Sequence, residues 1–389
     1  MTDRLYFDWN ATAPLRPQAR AAMLAALDAT GNPSSVHAEG RLARHLIEEA
    51  RENVAALVGA DPRNVVFTSG GTEANMLALA PTNAAAAAPL SDRLLVSAIE
   101  HPSVLAGGRF PPAAVERLEV TADGRLDLAA LERRLALPAG RVLVSLMLAN
   151  NETGVVQPVS AAARLIHAAG GLLHVDAVQG AGRIPCDINV LEADLLTVSG
   201  HKIGAPKGVG ALVRRNAAVP FPDPLIRGGG QERGARAGTE NVAGIAGFGA
   251  AAAAAHAGLA IEAARMAALR DRLEAGLKAA SPEAIIFGAA VERLPNTTLF
   301  AVPEMKAETA VIAFDLAGVA VSSGAACSSG KVQPSHVLAA MGAAAELARA
   351  AVRASLGPTT TESDIDRFIQ AWIKVFGALV KKRSKRIAA

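Results

Sequence analysis

Apolar residues run along the chain in short, nearly unbroken blocks separated by stretches with helical spacing. Blocks of this kind, rather than strict alternation, predict strands buried on both faces, as in a parallel sheet. They place strands at 64–68, 93–97, 117–120, 142–148, 172–176, 195–198 and 211–213. The intervening spacing predicts helices at 17–28, 39–58 and 73–79, one opening at His101-Pro102, and others at 127–135 and 160–169. In the second of these, Leu42, Leu46, Ile47, Val54 and Leu57 recur at helical intervals. Strand alternating with helix implies an α/β fold, a mainly parallel sheet covered on both sides. A long alanine-rich helix over 241–280 then carries the chain onward. Beyond it, strands at 297–301 and 319–321 and helices at 309–316, 335–340 and 363–376 read as a smaller α+β domain. The expected division is a large domain over 15–255 and a small one formed by 1–14 with 256–389.

Composition narrows the picture. The 389 residues are 51% hydrophobic and only 19% charged, which is globular and long enough for two domains. Aromatics make up 3%, so alanine, leucine and valine must build the core. A net charge of +3 is too weak a bias to argue for nucleic acid. The one basic run, Lys381-Lys-Arg-Ser-Lys-Arg386, reads as a solvated tail. Two distant cysteines, Cys186 and Cys327, suggest neither a disulfide framework nor a zinc site. The chain opens without a signal-peptide pattern, and no uninterrupted apolar run reaches membrane length. A soluble, reducing, cytoplasmic setting without metal or membrane is the expectation. No P-loop, GxSxG elbow or HExxH motif occurs.

The chemistry collects around Ser199-Gly-His-Lys202, which follows the strand at 195–198. A lysine held at a strand end by a compact loop is a candidate Schiff-base former, because burial lowers the pKa of its amine. The strand at 172–176 ends in Asp176, with Gln179 just after it. Both residues would face the carboxyl edge of one sheet, where α/β ligands bind. An amine and an acid are what pyridoxal phosphate requires, one to hold the aldehyde and one to keep the pyridine nitrogen protonated. Each residue alone is equally well explained as structural. Further strand-to-helix junctions add to the pair. Ser69-Gly-Gly71-Thr72 offers a helix N-terminus for phosphate, Asn150-Asn151 offers amide donors, and His101 opens a helix. Ser199 and His201 flank the lysine.

Taken in order, these stretches resemble the cysteine desulfurases of the NifS/IscS type, in the class V aminotransferase branch of fold-type I pyridoxal phosphate enzymes. The similarity runs nearly end to end. It takes in Asp8-Trp-Asn-Ala-Thr-Ala-Pro-Leu, Gly31-Asn-Pro-Ser-Ser-Val-His37, Thr68-Ser-Gly-Gly-Thr-Glu73 and Glu100-His101. It continues through Asn150–Pro158, His174-Val-Asp-Ala-Val-Gln179, Ser199–Lys202, Arg236–Asn241, Ser322–Gly330 and Arg353–Gly357. The resemblance implies a large domain with a mainly parallel seven-stranded sheet and a small domain carrying a cysteine loop. It implies that Lys202 anchors the cofactor and moves protons at the substrate α-carbon, and that Asp176 pairs with the ring nitrogen. His101 would stack on the ring and act in acid–base steps, and Gln179 would bond the ring hydroxyl oxygen, with Asn151 close to it and to the substrate. Gly71, Thr72, Ser199 and His201 would hold the phosphate, helped by Thr239 of a neighbouring subunit in a homodimer. Arg353 would take the substrate carboxylate.

Cys327 is the residue that separates desulfurases from their aminotransferase cousins. Its Ser, Gly and Ala surroundings read as a loop rather than a core. A thiolate there could attack the sulfur of L-cysteine and carry a persulfide to an acceptor such as an iron–sulfur scaffold protein. Cys186, after Ile184-Pro185, reads as structural. Met76, where many relatives carry Asn, and Ala326, where Ser is common, are departures that remove no named role. The alternatives are a class V aminotransferase, a selenocysteine lyase, or a scaffold that kept the fold without the chemistry.

Overall fold

A computed structural model describes residues 4–82, 90–137, 140–324 and 335–387. In chain order its elements are β1 (Leu5–Tyr6), α1 (Pro17–Asp28), α2 (Ala38–Leu57), β2 (Val65–Thr68), α3 (Gly71–Ala78), β3 (Arg93–Ser97), α4 (Pro102–Leu105) and β4 (Val115–Leu118). Next come α5 (Leu128–Leu135), β5 (Val142–Met147), α6 (Val159–Ala168), β6 (Leu172–Asp176), β7 (Leu195–Ser199), β8 (Gly210–Arg214) and α7 (Val242–Ala280). The remainder are β9 (Ile285–Ile286), β10 (Thr297–Ala301), α8 (Ala307–Leu316), β11 (Val319–Ala320), β12 (Ser322–Ser323), α9 (His336–Ala340), α10 (Ala345–Ala350), β13 (Val352–Ser355) and α11 (Glu362–Ile387).

Seven strands form the main sheet, in the order β2-β8-β7-β6-β5-β3-β4. β8 runs antiparallel to both of its neighbours, and the other six share one direction. The inner strands are buried along their whole length, which is why they read as continuous apolar blocks. β4 lies two residues earlier than its sequence pattern predicts. It is an edge strand, and its register is set by pairing Val115 with Leu94 rather than by its own weak apolar signal. A second, antiparallel sheet has the order β12-β13-β10-β9, and β1 pairs in parallel with β11.

Two hydrophobic clusters follow from this layout. One joins α1, α2 and α6 to the main sheet and to the first third of α7, as far as Ala255. The other gathers Leu5, Phe7, the second sheet, α8, α11 and the far end of α7 from Leu269. Phe7, Phe300, Phe314, Phe368 and Trp372 meet there in a connected set of ring contacts. α7 is a single 39-residue helix shared by both clusters. It is also long and apolar enough, by length and composition, to cross a membrane, which corrects the expectation that no such segment exists. Alanine and glycine account for that apolarity. They let α7 lie close against α1 and α2, and half of its most apolar stretch is buried in the protein.

A buried ion pair fixes the loop that precedes α7. Arg51 donates from both terminal nitrogens to the Glu232 carboxylate, at 2.7 and 2.9 Å, and Phe67 N–H donates to the same carboxylate at 2.9 Å. Glu232 and Arg233 occupy left-handed backbone, at φ 48° and 57°, strain that this pairing holds in place. Arg51→Ala would leave a carboxylate buried without its cation. Unfolding stability is expected to fall by about 3–5 kcal/mol, read from the urea midpoint. An unchanged midpoint would show that Glu232 finds another partner.

Candidate active site

The parallel strands deliver their chemistry to one edge. β2 ends at Thr68 and leads to Gly71 and Thr72. β3 leads to His101, β5 to Asn151, β6 ends in Asp176, and β7 ends in Ser199, three residues before Lys202. All open on a cavity of about 250 Å³ lined by Gly71, Thr72, His101, Asn151, Asp176, Gln179, Ser199, His201, Lys202 and Arg353, among others. The residues assigned to cofactor or substrate and described in the structure are therefore brought together, apart from Thr239. That residue is exposed and lines a separate depression with Ser69, Arg236 and Asn241. Cys327 lies outside the described residues.

The Lys202 ammonium donates to the Asn10 carbonyl at 2.6 Å and to the Ala11 carbonyl at 2.9 Å. The opening segment is thus part of the site, although no site role was expected of it. Behind it, the buried Arg183 guanidinium donates to the Gln179 side-chain oxygen and to the Trp9 and Lys202 carbonyls. This settles the orientation of the Gln179 amide, whose NH₂ group donates to the Asn10 carbonyl at 3.1 Å. Burial, with Arg353 adding to it, pushes the Arg183 guanidinium down to about 9.

Asp176 is buried and accepts from Asn75 Nδ2 at 2.8 Å and from the Val178 N–H at 3.0 Å. Asn75 belongs to the first turns of α3, which begins at Gly71, two residues earlier than predicted. That shift sets Gly71 and Thr72 at the helix N-terminus, where unpaired N–H groups favour an anion. A side chain at position 71 would meet Val178 Cγ2 at 3.0 Å and Ser199 Cβ at 3.3 Å, so glycine keeps this wall close. His201 contacts Thr12 Oγ1 at 3.2 Å, and burial with the nearby Lys202, Lys207 and Arg183 charges pushes its imidazole down to about 4.

Arg353 donates to the Asn151 carbonyl at 2.9 Å and to Asp8 Oδ1 at 2.8 Å, and its Nε is buried without a partner. Its fork is already engaged by a carboxylate, which is the chemistry a substrate carboxylate would supply. Next to Asn151, the buried Glu152 accepts from Ser335 Oγ at 2.5 Å, and burial lifts its carboxyl to about 7. Of the wall residues, Asn10, Asn75 and Ser103 are the functional candidates that sequence reasoning missed. Each lies in or beside a quoted motif, but its partners are remote in the chain.

Beneath Asp176, His174 bridges Ser145 Oγ at 2.8 Å and Thr197 Oγ1 at 2.9 Å, and burial pushes its imidazole down to about 4. The folded value lies below the ordinary value of about 6.5, so the unfolded chain binds the proton first as pH falls. His174 therefore contributes stability that is complete above about pH 6.5 and is lost as pH falls towards 4. The wild-type melting temperature should drop across this window, and His174→Gln should flatten the drop. Parallel curves for the two proteins would assign the acid sensitivity elsewhere.

The residues present suit pyridoxal phosphate. An amine, an acid held by two donors, an anion-binding helix N-terminus and an imidazole share one cavity, and the glycine at position 71 keeps one wall close. Residues 5–368 match the family described as aminotransferase class-V. A cysteine desulfurase of Cereibacter sphaeroides is 46% identical over 95% of this chain and 94% of its own length. Among solved structures, a NifS-like protein from Rickettsia africae ESF-5 superposes with a TM-score of 0.87 at 37% identity, covering 96% of this chain and all of that one. SspA in complex with cysteine superposes with a TM-score of 0.76 at 29% identity, covering 92% of this chain and all of that one. The chain belongs to the class-V aminotransferase family and is one of its pyridoxal-phosphate-dependent cysteine desulfurases.

Proposed function

We propose that this enzyme removes the sulfur of L-cysteine as a persulfide on Cys327, leaves L-alanine, and passes the sulfur to an acceptor protein in iron–sulfur cluster assembly. The observation that carries the reading is the convergence of Lys202, Asp176 and Arg353 on one cavity at the sheet edge. Bound there, pyridoxal phosphate supplies an electron sink for the substrate's α-carbon. The chain's own groups do the rest. Arg353 orients the substrate by its carboxylate. Lys202 Nζ takes and returns a proton at the α-carbon, and Asp176 holds a proton on the ring nitrogen. The Cys327 thiolate forms the S–S bond as the substrate's Cβ–S bond breaks, and the carbon keeps the electron pair and takes up a proton.

The proposal includes a homodimer, in which an exposed Thr239 serves the phosphate cup of a second copy. A reducing, cytoplasmic setting fits a thiolate that must be regenerated after every transfer. The test is incubation of the holoenzyme with L-cysteine without an acceptor, followed by mass spectrometry of the peptide containing Cys327. One added sulfur on that cysteine, together with released alanine, is expected. Alanine formed without sulfur on Cys327 would overturn the persulfide route.

A further inference from the structure

One chain of hydrogen bonds in the cavity wall is not accounted for by any role above. Asn75 Nδ2 donates to Asp176 Oδ2 at 2.8 Å and to Ser103 Oγ at 3.0 Å, and Ser103 Oγ lies 2.8 Å from His101 Nδ1. The backbone N–H of Ser103 also donates to His101 Nδ1, at 3.2 Å, as the cap of α4.

The chemistry of the groups orders this chain. A backbone N–H can only donate, so His101 Nδ1 presents a lone pair to it. The side-chain NH₂ of Asn75 can only donate, and its orientation is set by the Asp176 carboxylate, which can only accept. Ser103 Oγ therefore accepts from Asn75, and its own hydrogen goes to His101 Nδ1. With Nδ1 occupied as an acceptor, the proton of the neutral ring sits on Nε2. An amide does not pass on a proton under these conditions, so the chain orients His101 and does not conduct protons from it to Asp176. Asn75 is 1% exposed and its Oδ1 is buried without a partner, so the amide has its oxygen sacrificed to this arrangement.

We propose that Ser103 is a positioning residue that locks His101 in its Nε2–H tautomer, with the lock tied through Asn75 to Asp176. His101 then offers the cavity a hydrogen-bond donor and is not the resting general base of the site. Among the described residues, Asp176, Lys202 and His336 place charge on His101. Burial pulls the imidazole below its ordinary value, Asp176 opposes this, and Lys202 and His336 reinforce it. Protonation at Nδ1 would put a hydrogen against the Ser103 N–H, which is the structural reason the lock favours the neutral ring.

The test uses holoenzyme labelled with ¹⁵N-histidine, with the His101 signals identified by their loss in His101→Gln. In the wild type, Nδ1 should appear as an unprotonated nitrogen and Nε2 as a protonated one at neutral pH. Ser103→Ala removes the hydroxyl donor but keeps the backbone N–H on Nδ1, so it should weaken the preference for the Nε2–H tautomer without abolishing it and raise the pH at which His101 protonates by roughly half a unit to one unit. The acid limb of kcat/KM for L-cysteine should move with it. Ser103→Thr keeps the hydroxyl and should restore both readouts. The idea fails if wild-type Nδ1 carries the proton, if Ser103→Ala leaves the His101 signals unchanged, or if Ser103→Thr behaves like Ser103→Ala. The nitrogen signals do not depend on the reaction catalysed, so failure of the lock and failure of the desulfurase reading are distinguishable.

Discussion

Lys202→Ala is expected to lower turnover of L-cysteine by on the order of 10³-fold and to leave pyridoxal phosphate removable by dialysis. The expectation follows from position. Lys202 sits one short turn beyond β7, and its amine is held inside the cavity by the carbonyls of Asn10 and Ala11. Those carbonyls accept hydrogen bonds without neutralising the charge, so the amine can exchange them for a covalent partner. Removal of the side chain deletes both the anchor and the group that moves the α-proton, and no other lysine lines the cavity among the described residues. Visible absorbance before and after dialysis, and borohydride fixation of the cofactor, report the anchor; alanine release reports the chemistry. A variant that keeps borohydride-fixable cofactor and turnover within tenfold would mean that another amine does this work.

Cys327→Ala is expected to leave cofactor absorbance at the wild-type level while alanine and sulfide release from L-cysteine fall to background. The two effects separate because the cofactor-binding groups come from the main sheet, whereas the thiol is needed only to receive sulfur. Cys186 offers no substitute. It is 4% exposed, it packs in the core beside Ile188 and Ala193, and burial pushes its thiol up to about 12. At neutral pH it carries no thiolate, and the thiolate is the nucleophile. Cys186→Ala should accordingly keep full activity, as the control. Full-rate alanine release from Cys327→Ala would remove the persulfide route and leave a direct elimination in its place.

Much of this is legible in the amino-acid pattern. The apolar blocks at 142–148, 172–176 and 195–198 became β5, β6 and β7 because a strand buried on both faces has no polar alternation to hide it. The site residues were legible for a related reason. Each sits within a few residues of a strand end, and a parallel sheet gathers all such ends on one edge. Less was visible where an element depends on remote pairing. β13 has only four residues, and it exists because it pairs with both β10 and β12. α7 serves two clusters, the first as far as Ala255 and the second from Leu269, and an alanine-rich helix carries no local mark between them.

The order of strands and helices, the amine at 202, the acid at 176 and the thiol at 327 are properties of the sequence, because local patterning and side-chain chemistry travel with the residues themselves. Which groups hold them belongs to the tertiary structure. Asp8 meets Arg353 across 345 positions, Asn10 meets Lys202 across 192, and Asn75 meets Asp176 across 101. Hydrogen bonds a few ångströms long cannot be read from separations of that size. They exist because the folded sheet brings distant strand ends to one place and buries polar groups there that must find partners.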